Sequence, residues 1–246
     1  MSNDSATDAD SRPGEARVNV CVEVCVDSVA SAIAAEAGGA DRIELCSELR
    51  CDGLTPTAEL AEAVLAAVTI PVVAMVRPRH TGFETFRLTS QDRILVDADL
   101  RRLVQLPFAG FVFGALTSAG ELDHEACRQV LEQASQRPVT LHRAFDRTAN
   151  PTHSLEAAIQ LGFSRVLTSG QAASAWEGRK QLQSLVSASG DRITILAGGG
   201  VRAEQAAALV AATGVREVHS SARTRGSTVA SRTEVAAIVH AVGSTR

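Results

Sequence analysis

The residues able to do chemistry recur at short, repeated spacings. Glu23, Cys25 and Asp27 alternate with valines, and Glu44 and Cys46 repeat that alternation behind Arg42 and Ile43. Arg77 and Arg79 flank a proline, His142, Arg143 and Asp146 fall within five residues, and Ser169, His219 and Arg223 continue the series. Carboxylates and imidazoles can move protons, thiolates can hold a soft metal ion, and guanidinium groups can grip an anion. Glu23, Glu44, His142 and His219 fall on the core side of their predicted strands. Buried carboxylates there need partners, most simply Arg77, Arg143 or the histidines.

Cys25 and Cys46 are the candidate ligands for Cu(I), which prefers sulfur. The competing reading is a pair of inert, packed thiols, and spacing alone does not separate the two. Cys21, Cys51 and Cys127 read as structural or incidental. Zinc is disfavoured because neither C-x-x-C nor H-E-x-x-H occurs. Gly198, Gly199 and Gly200 stand together, with Ser220 to Arg223 some twenty residues on. Glycines let a backbone approach a ligand closely, so this pair of segments is a candidate anion cradle; a tight turn is the alternative. His142 and Asp146 could share acid-base work, the carboxylate orienting the imidazole. No serine sits in a G-x-S-x-G nucleophile turn.

These residues need a scaffold that brings them together. Strict alternation predicts a first strand over Val18 to Val26, its valines on a helix-covered face. Strands follow at Arg42–Cys46, Val72–Val76 and Gly110–Phe113, then one opening at Thr140, then Arg165–Thr168, Ile193–Leu196 and Glu217–Ser220. Helices are expected between them: Val29–Ala37, Thr57 to Val68, Ser90–Leu106, from Asp123 to Gln136, Pro151–Leu161, Ala175–Ala188 and Ala203–Ala212, with a last one over Glu234–Val242. Eight strand-helix units without a composition break predict one α/β domain, a closed (β/α)8 barrel of the TIM type over residues 18–246. A doubly wound open sheet is the alternative, but no G-x-G-x-x-G follows the first strand. Barrels of this kind carry their chemistry at the carboxyl ends of the strands, which is where the acids, thiols and arginines stand.

Composition narrows the partners. A net charge of −4 and the lack of any basic block argue against nucleic acid or an anionic membrane surface. Residues 1–17 are polar and acidic, unlike a signal peptide, and read as a short disordered tail. Five irregularly spaced cysteines read as reduced thiols, and no apolar run is long enough to span a membrane, so a cytoplasmic location is expected. A metal ion or a small anion is the partner to look for.

Several ordered motifs carry a resemblance. Val22 to Ser28, Gly39 to Ser47, Val76 to Arg79, His142 to Asp146, Leu167 to Gly170 and Gly198 to Val201 together resemble the CutC family of copper homeostasis proteins, over about residues 20–223. The resemblance implies a cytoplasmic TIM-type barrel, a homo-oligomer (dimer or tetramer), and copper handling with Cys25 and Cys46 at the positions of the Cu(I) ligands. Two functions follow. One is Cu(I) binding. The other is an enzyme acting on a small anionic, possibly phosphorylated, metabolite, with Arg77, Arg143, Ser169, Gly198, Gly199, His219 and Arg223 around the anion. Glu23, Glu44, His142 and Asp146 would then serve its acid-base chemistry.

Overall fold

A computed structural model describes residues 20–78 and 86–243. The expected tail and the positions Arg79, His80 and Thr81 lie outside these described residues. Eight parallel strands close into a barrel in sequence order: β1 (Cys21–Val26), β2 (Arg42–Leu45), β3 (Val72–Met75), β4 (Gly110–Phe113), β5 (Val139–Leu141), β6 (Arg165–Thr168), β7 (Thr194–Gly198) and β8 (Glu217–Ser220). β1 pairs with both β2 and β8, so no sheet edge remains and the open-sheet alternative is excluded. Helices α1 (Val29–Ala37), α2 (Ala58–Ala67), α3 (Ser90–Leu103), α4 (His124–Gln133), α5 (Pro151–Leu161), α6 (Arg179–Ser189), α7 (Ala203–Thr213) and α8 (Arg232–Gly243) form the outer layer.

The alternation in β1 works as its sequence implies. Val22, Val24 and Val26 are fully buried within the core shared with the helices, each removing a side chain from water for about 1.5–3 kcal/mol. The opposite faces of the strands fill the barrel interior, where Cys46, Val73, Met75 and Val112 form a separate apolar plug. Helix starts follow local chemistry. Ser28, Thr57, Asp123 and Asn150 each accept a backbone N–H at the N-cap, and Thr89 with Asp92 makes a reciprocal capping box.

Two elements depart from the sequence expectation. α6 starts at Arg179 rather than Ala175, because the amide of Ala175 is taken by the carbonyl of Gly199 at 2.8 Å and the chain bends there. Gly178 permits the return: a Cβ on it would stand 1.9 Å from the Ser169 carbonyl oxygen. Between β5 and α5, which begins at Pro151 as expected, Arg143–Arg147 form a 3-10 turn. α3 also stops three residues early, at Leu103, and its end is tied down by Arg137, whose guanidinium donates to the carbonyls of Val104 and Leu106.

Candidate functional site

The amino ends of the strands already carry charge. Arg165, Glu217 and Arg42 open β6, β8 and β2, and they meet below the barrel centre. Arg165 Nε lies 3.2 Å from Glu217 Oε2, and Arg42 Nη2 lies 2.5 Å from that same oxygen. Arg42 Nε then binds Glu23 Oε2 at 2.5 Å, and Glu23 Oε1 binds His219 Nδ1 at 2.7 Å. An ionic chain thus climbs the inside of the barrel from its base to its mouth. Arg42 and Glu217 were not singled out from sequence, because attention there fell on strand ends and these residues open their strands. The signal was available: Arg42 lies two residues before Glu44 and so shares its face.

Burial and pairing set the protonation states. Burial alone would push the Glu23 carboxyl up, but the His219 hydrogen bond and the Arg42 charge outweigh it and hold it well below the carboxylate range. Burial would likewise discharge His219, yet Cys25, Glu44 and Glu23 around it raise its pKa well above the usual histidine value. Glu44 differs. Burial pushes its carboxyl up to about 7 against the pull of His219, and its Oε2 has no hydrogen-bond partner among the described residues. Glu23, Glu44 and His219 offer three buried ligand atoms within 4.8 Å of one another. Two of those groups are already spent on each other and on Arg42, so an entering dication would have to displace a guanidinium or a proton.

Above this chain the barrel opens into a cavity of about 310 Å³. Of the residues expected at the site, Cys25, Glu44, Arg77, His142, Arg143, Gly199, His219 and Arg223 line it. Glu23, Cys46, Asp146, Ser169 and Gly198 stand behind that lining. Gly200, Arg202 and Ser221 join the wall from the loops after β7 and β8, and Phe86 joins from the segment before α3. Four arginines and His219 therefore face Glu44 and Asp52. Arg202 was missed in the sequence because the glycine run before it drew the attention.

The arginines are held in different ways. Arg223 pairs with Asp27 across β1 and β8. Arg143 Nε binds Asp146 at 2.8 Å and its Nη2 meets Ser169 Oγ at 3.1 Å. Arg77 donates to the carbonyls of Asp52 and Gly53 at 3.2 and 3.3 Å and lies 5.3 Å over the Phe86 ring, a cation–π contact.

His142 and Asp146 do not work on each other. Asp146 accepts from Thr168, from the amides of Ser169 and Gln171, and from Arg143, which makes it the anchor of the β5 and β6 loops. His142 instead caps the 3-10 turn, its Nδ1 accepting from the Ala144 amide at 3.2 Å. Burial and the nearby Arg77 push its pKa down to about 3, so the ring is neutral, with its remaining hydrogen on Nε2. It packs against Phe86 with ring centroids 5.0 Å apart.

The two thiols sit on adjacent strands. The register sets Cys25 beside Glu44, and Cys46 is the next inward-facing position beyond Glu44 on the β2 side. Cys25 reaches the cavity. Cys46 is fully buried, 3.5 Å from the Val26 carbonyl oxygen, and burial holds its thiol well above the usual range. Gly53 covers it, with space for a Cβ only 3.1 Å from Cys46 Sγ. All five cysteines are free.

A sequence model of the CutC family matches residues 20–224, most of the chain. The chain belongs to the CutC family. A family protein CutC of Caulobacter vibrioides is 48% identical over 202 residues, spanning 82% of this chain and 81% of that one. The human relative, named copper homeostasis protein cutC homolog, is 43% identical over 203 residues, spanning 82% of this chain and 73% of that one. Among solved structures, a CutC from Streptococcus agalactiae, described as a copper homeostasis protein, superposes with a TM-score of 0.77 at 29% identity, covering 82% of this chain and 98% of that one. The match and the barrel agree with the family and fold that the sequence motifs imply.

Proposed function

We propose that this protein acts in copper homeostasis by binding Cu(I) between Cys25 and Cys46, in the cytoplasm and as a homo-oligomer. The observation that carries this reading is the pair of thiols on neighbouring strands, one open to the mouth and one sealed behind it. Two soft sulfurs suit Cu(I), which accepts low coordination and prefers thiolate over carboxylate or imidazole. The protein supplies an entry through the cavity at Cys25 and a dry, low-dielectric seat at Cys46. Cu(I) would replace the proton that burial keeps on Cys46. The human relative's name places that protein in copper homeostasis. X-ray absorption at the copper edge of the loaded full chain tests the ligand set: a shell of two sulfurs is expected, and a shell dominated by nitrogen or oxygen counts against it.

A second reading is favoured by a separate observation. The mouth is lined by more guanidinium groups than a two-sulfur ion site uses, and the buried Glu44 Oε2 has no hydrogen-bond partner among the described residues. An enzyme acting on a small anionic metabolite would use both, the arginines for holding the anion and Glu44 for moving a proton. Thermal shifts in a panel of small anions test it. A stabilising compound whose effect is lost in Arg223→Gln supports this reading, and a panel without one opposes it.

A further inference from the structure

The wall made by the loops after β7 and β8 has a chemistry of its own. Among the described residues no backbone carbonyl accepts from the amides of Gly200, Val201 or Ser221, whereas the Gly199 amide continues the β7–β8 ladder toward His219. Val201 is buried, and buried amides in folded proteins are nearly always paired. The backbone turns through positive φ at Gly199 (108°) and Gly200 (74°), a path that glycine takes without steric cost and that leaves the main chain uncovered by side chains. Two guanidinium groups flank these amides. Arg202 makes contacts of 3.4 Å to the Val201 carbonyl and 3.2 Å to Ser220 Oγ, and no carboxylate lies within ion-pair reach of it among the described residues. Glu234, an acid on its outer flank, accepts from the Ala203 amide. Arg223 meets Asp27 through one Nη and keeps its other donors.

Gly200, Val201, Arg202, Ser221 and Arg223 all line the cavity of about 310 Å³. Three amides and two guanidiniums supply more donors than the two oxygens of a carboxylate can use. A phosphate monoester, with three strongly accepting oxygens, matches them better. The volume sits at the small end of the roughly 300–1,000 Å³ usual for small-molecule sites, which favours a compact compound over a nucleotide.

We propose that the loops after β7 and β8 form a cradle for the phosphate group of a small phosphomonoester, whose remaining polar end reaches Glu44 Oε2. This rests on the second reading above and names its ligand class. The Cu(I) seat at β1 and β2 adjoins β8 in the closed barrel but uses other side chains, so the two sites are separable by mutation.

The test uses the full chain at constant ionic strength, with inorganic phosphate as probe and malonate as the carboxylate control. Calorimetry is expected to show saturable phosphate binding, weakened about tenfold or more in Arg202→Gln, in line with loss of a charged hydrogen bond. Cys25→Ser with Cys46→Ser is expected to bind phosphate as wild type does. Amide NMR resonances of Gly200, Val201 and Ser221 are expected to move on phosphate addition, a readout independent of any variant. Phosphate affinity unchanged in Arg202→Gln, or shifts confined to other residues, overturns the cradle. Arginine-dependent binding of malonate without phosphate overturns the cradle and leaves the broader small-anion reading standing. Binding of neither anion removes both.

Discussion

Glu23 holds His219 through a 2.7 Å contact between Oε1 and Nδ1 while its other oxygen is committed to Arg42 at 2.5 Å. This one carboxylate joins the base of the barrel to its mouth. Replacing Glu23 by Gln strips the carboxylate that Arg42 and His219 share. Breaking a buried pair from one side costs about 3–5 kcal/mol, because the orphaned charge stays in place. Urea denaturation of Glu23→Gln is therefore expected to show a lower midpoint at unchanged slope. A midpoint equal to wild type would mean that the ionic chain contributes nothing to the fold.

Glu44 is expected to make stability depend on pH. Its carboxyl is raised from 4.5 to about 7 in the folded state. Between those values the folded protein holds a proton that the unfolded chain has released, so stability falls as pH rises through that window, by at most about 1.4 kcal/mol per pH unit. Glu44→Gln removes this slope. Comparing the melting temperatures of wild type and variant from pH 4.5 to 7.5 checks it: the variant should gain on wild type with rising pH, and a constant gap would be the contrary result.

His142 acts on the acid side. Its pKa is lowered from 6.5 to about 3 by burial and by Arg77, so the unfolded chain takes up a proton first as pH falls. The stability it contributes is fully present above pH 6.5 and is lost between 6.5 and 3. His142→Gln, which cannot charge, is expected to flatten the acid limb of the stability curve while lowering its plateau through lost packing against Phe86 and Phe113. An acid limb as steep as wild type's would assign acid sensitivity to other groups.

Gly53 tests the seat of the buried thiol. It adopts φ +80°, and a Cβ there would stand 3.1 Å from both Cβ and Sγ of Cys46. Gly53→Ala must shift the loop or the thiol, at a cost of roughly 1–3 kcal/mol for the backbone conformation. Chemical denaturation should show that loss, and Cu(I) affinity should fall with it. Wild-type copper affinity in this variant would place the metal away from Cys46.

The barrel was legible in the sequence because its signals are local. Alternation in β1, caps at Ser28, Asp123 and Asn150, and stops at Gly162 and Gly214 each fix an element without reference to the rest. The strand ends also converged as expected, since eight parallel strands bring residues as distant as Cys25 and His219 to one mouth. What did not follow from sequence was the pairing inside that mouth. His142 and Asp146 are close along the chain, yet the 3-10 turn after β5 sends one to the Ala144 amide and the other to Arg143 and Ser169. Glu23 did find a histidine, His219, as expected, but its arginine is Arg42 on the neighbouring strand and not Arg77 or Arg143, because register and not sequence distance decides who faces whom inside a barrel. The start of α6 was misplaced for a related reason: the claim of Gly199 on the Ala175 amide is a tertiary contact that helix propensity cannot register.

Copper handling by this protein turns on Cys25 and Cys46 holding Cu(I) together, as proposed above. Anaerobic titration of the full chain with Cu(I) against a competing chromophoric chelator tests it most directly, run in parallel on wild type, Cys25→Ser, Cys46→Ser and the double variant. The account predicts uptake near one Cu(I) per chain in wild type, weakened uptake in each single variant, and none in the double variant, with folding of each confirmed by its melting curve. Undiminished Cu(I) binding by a folded double variant would contradict it.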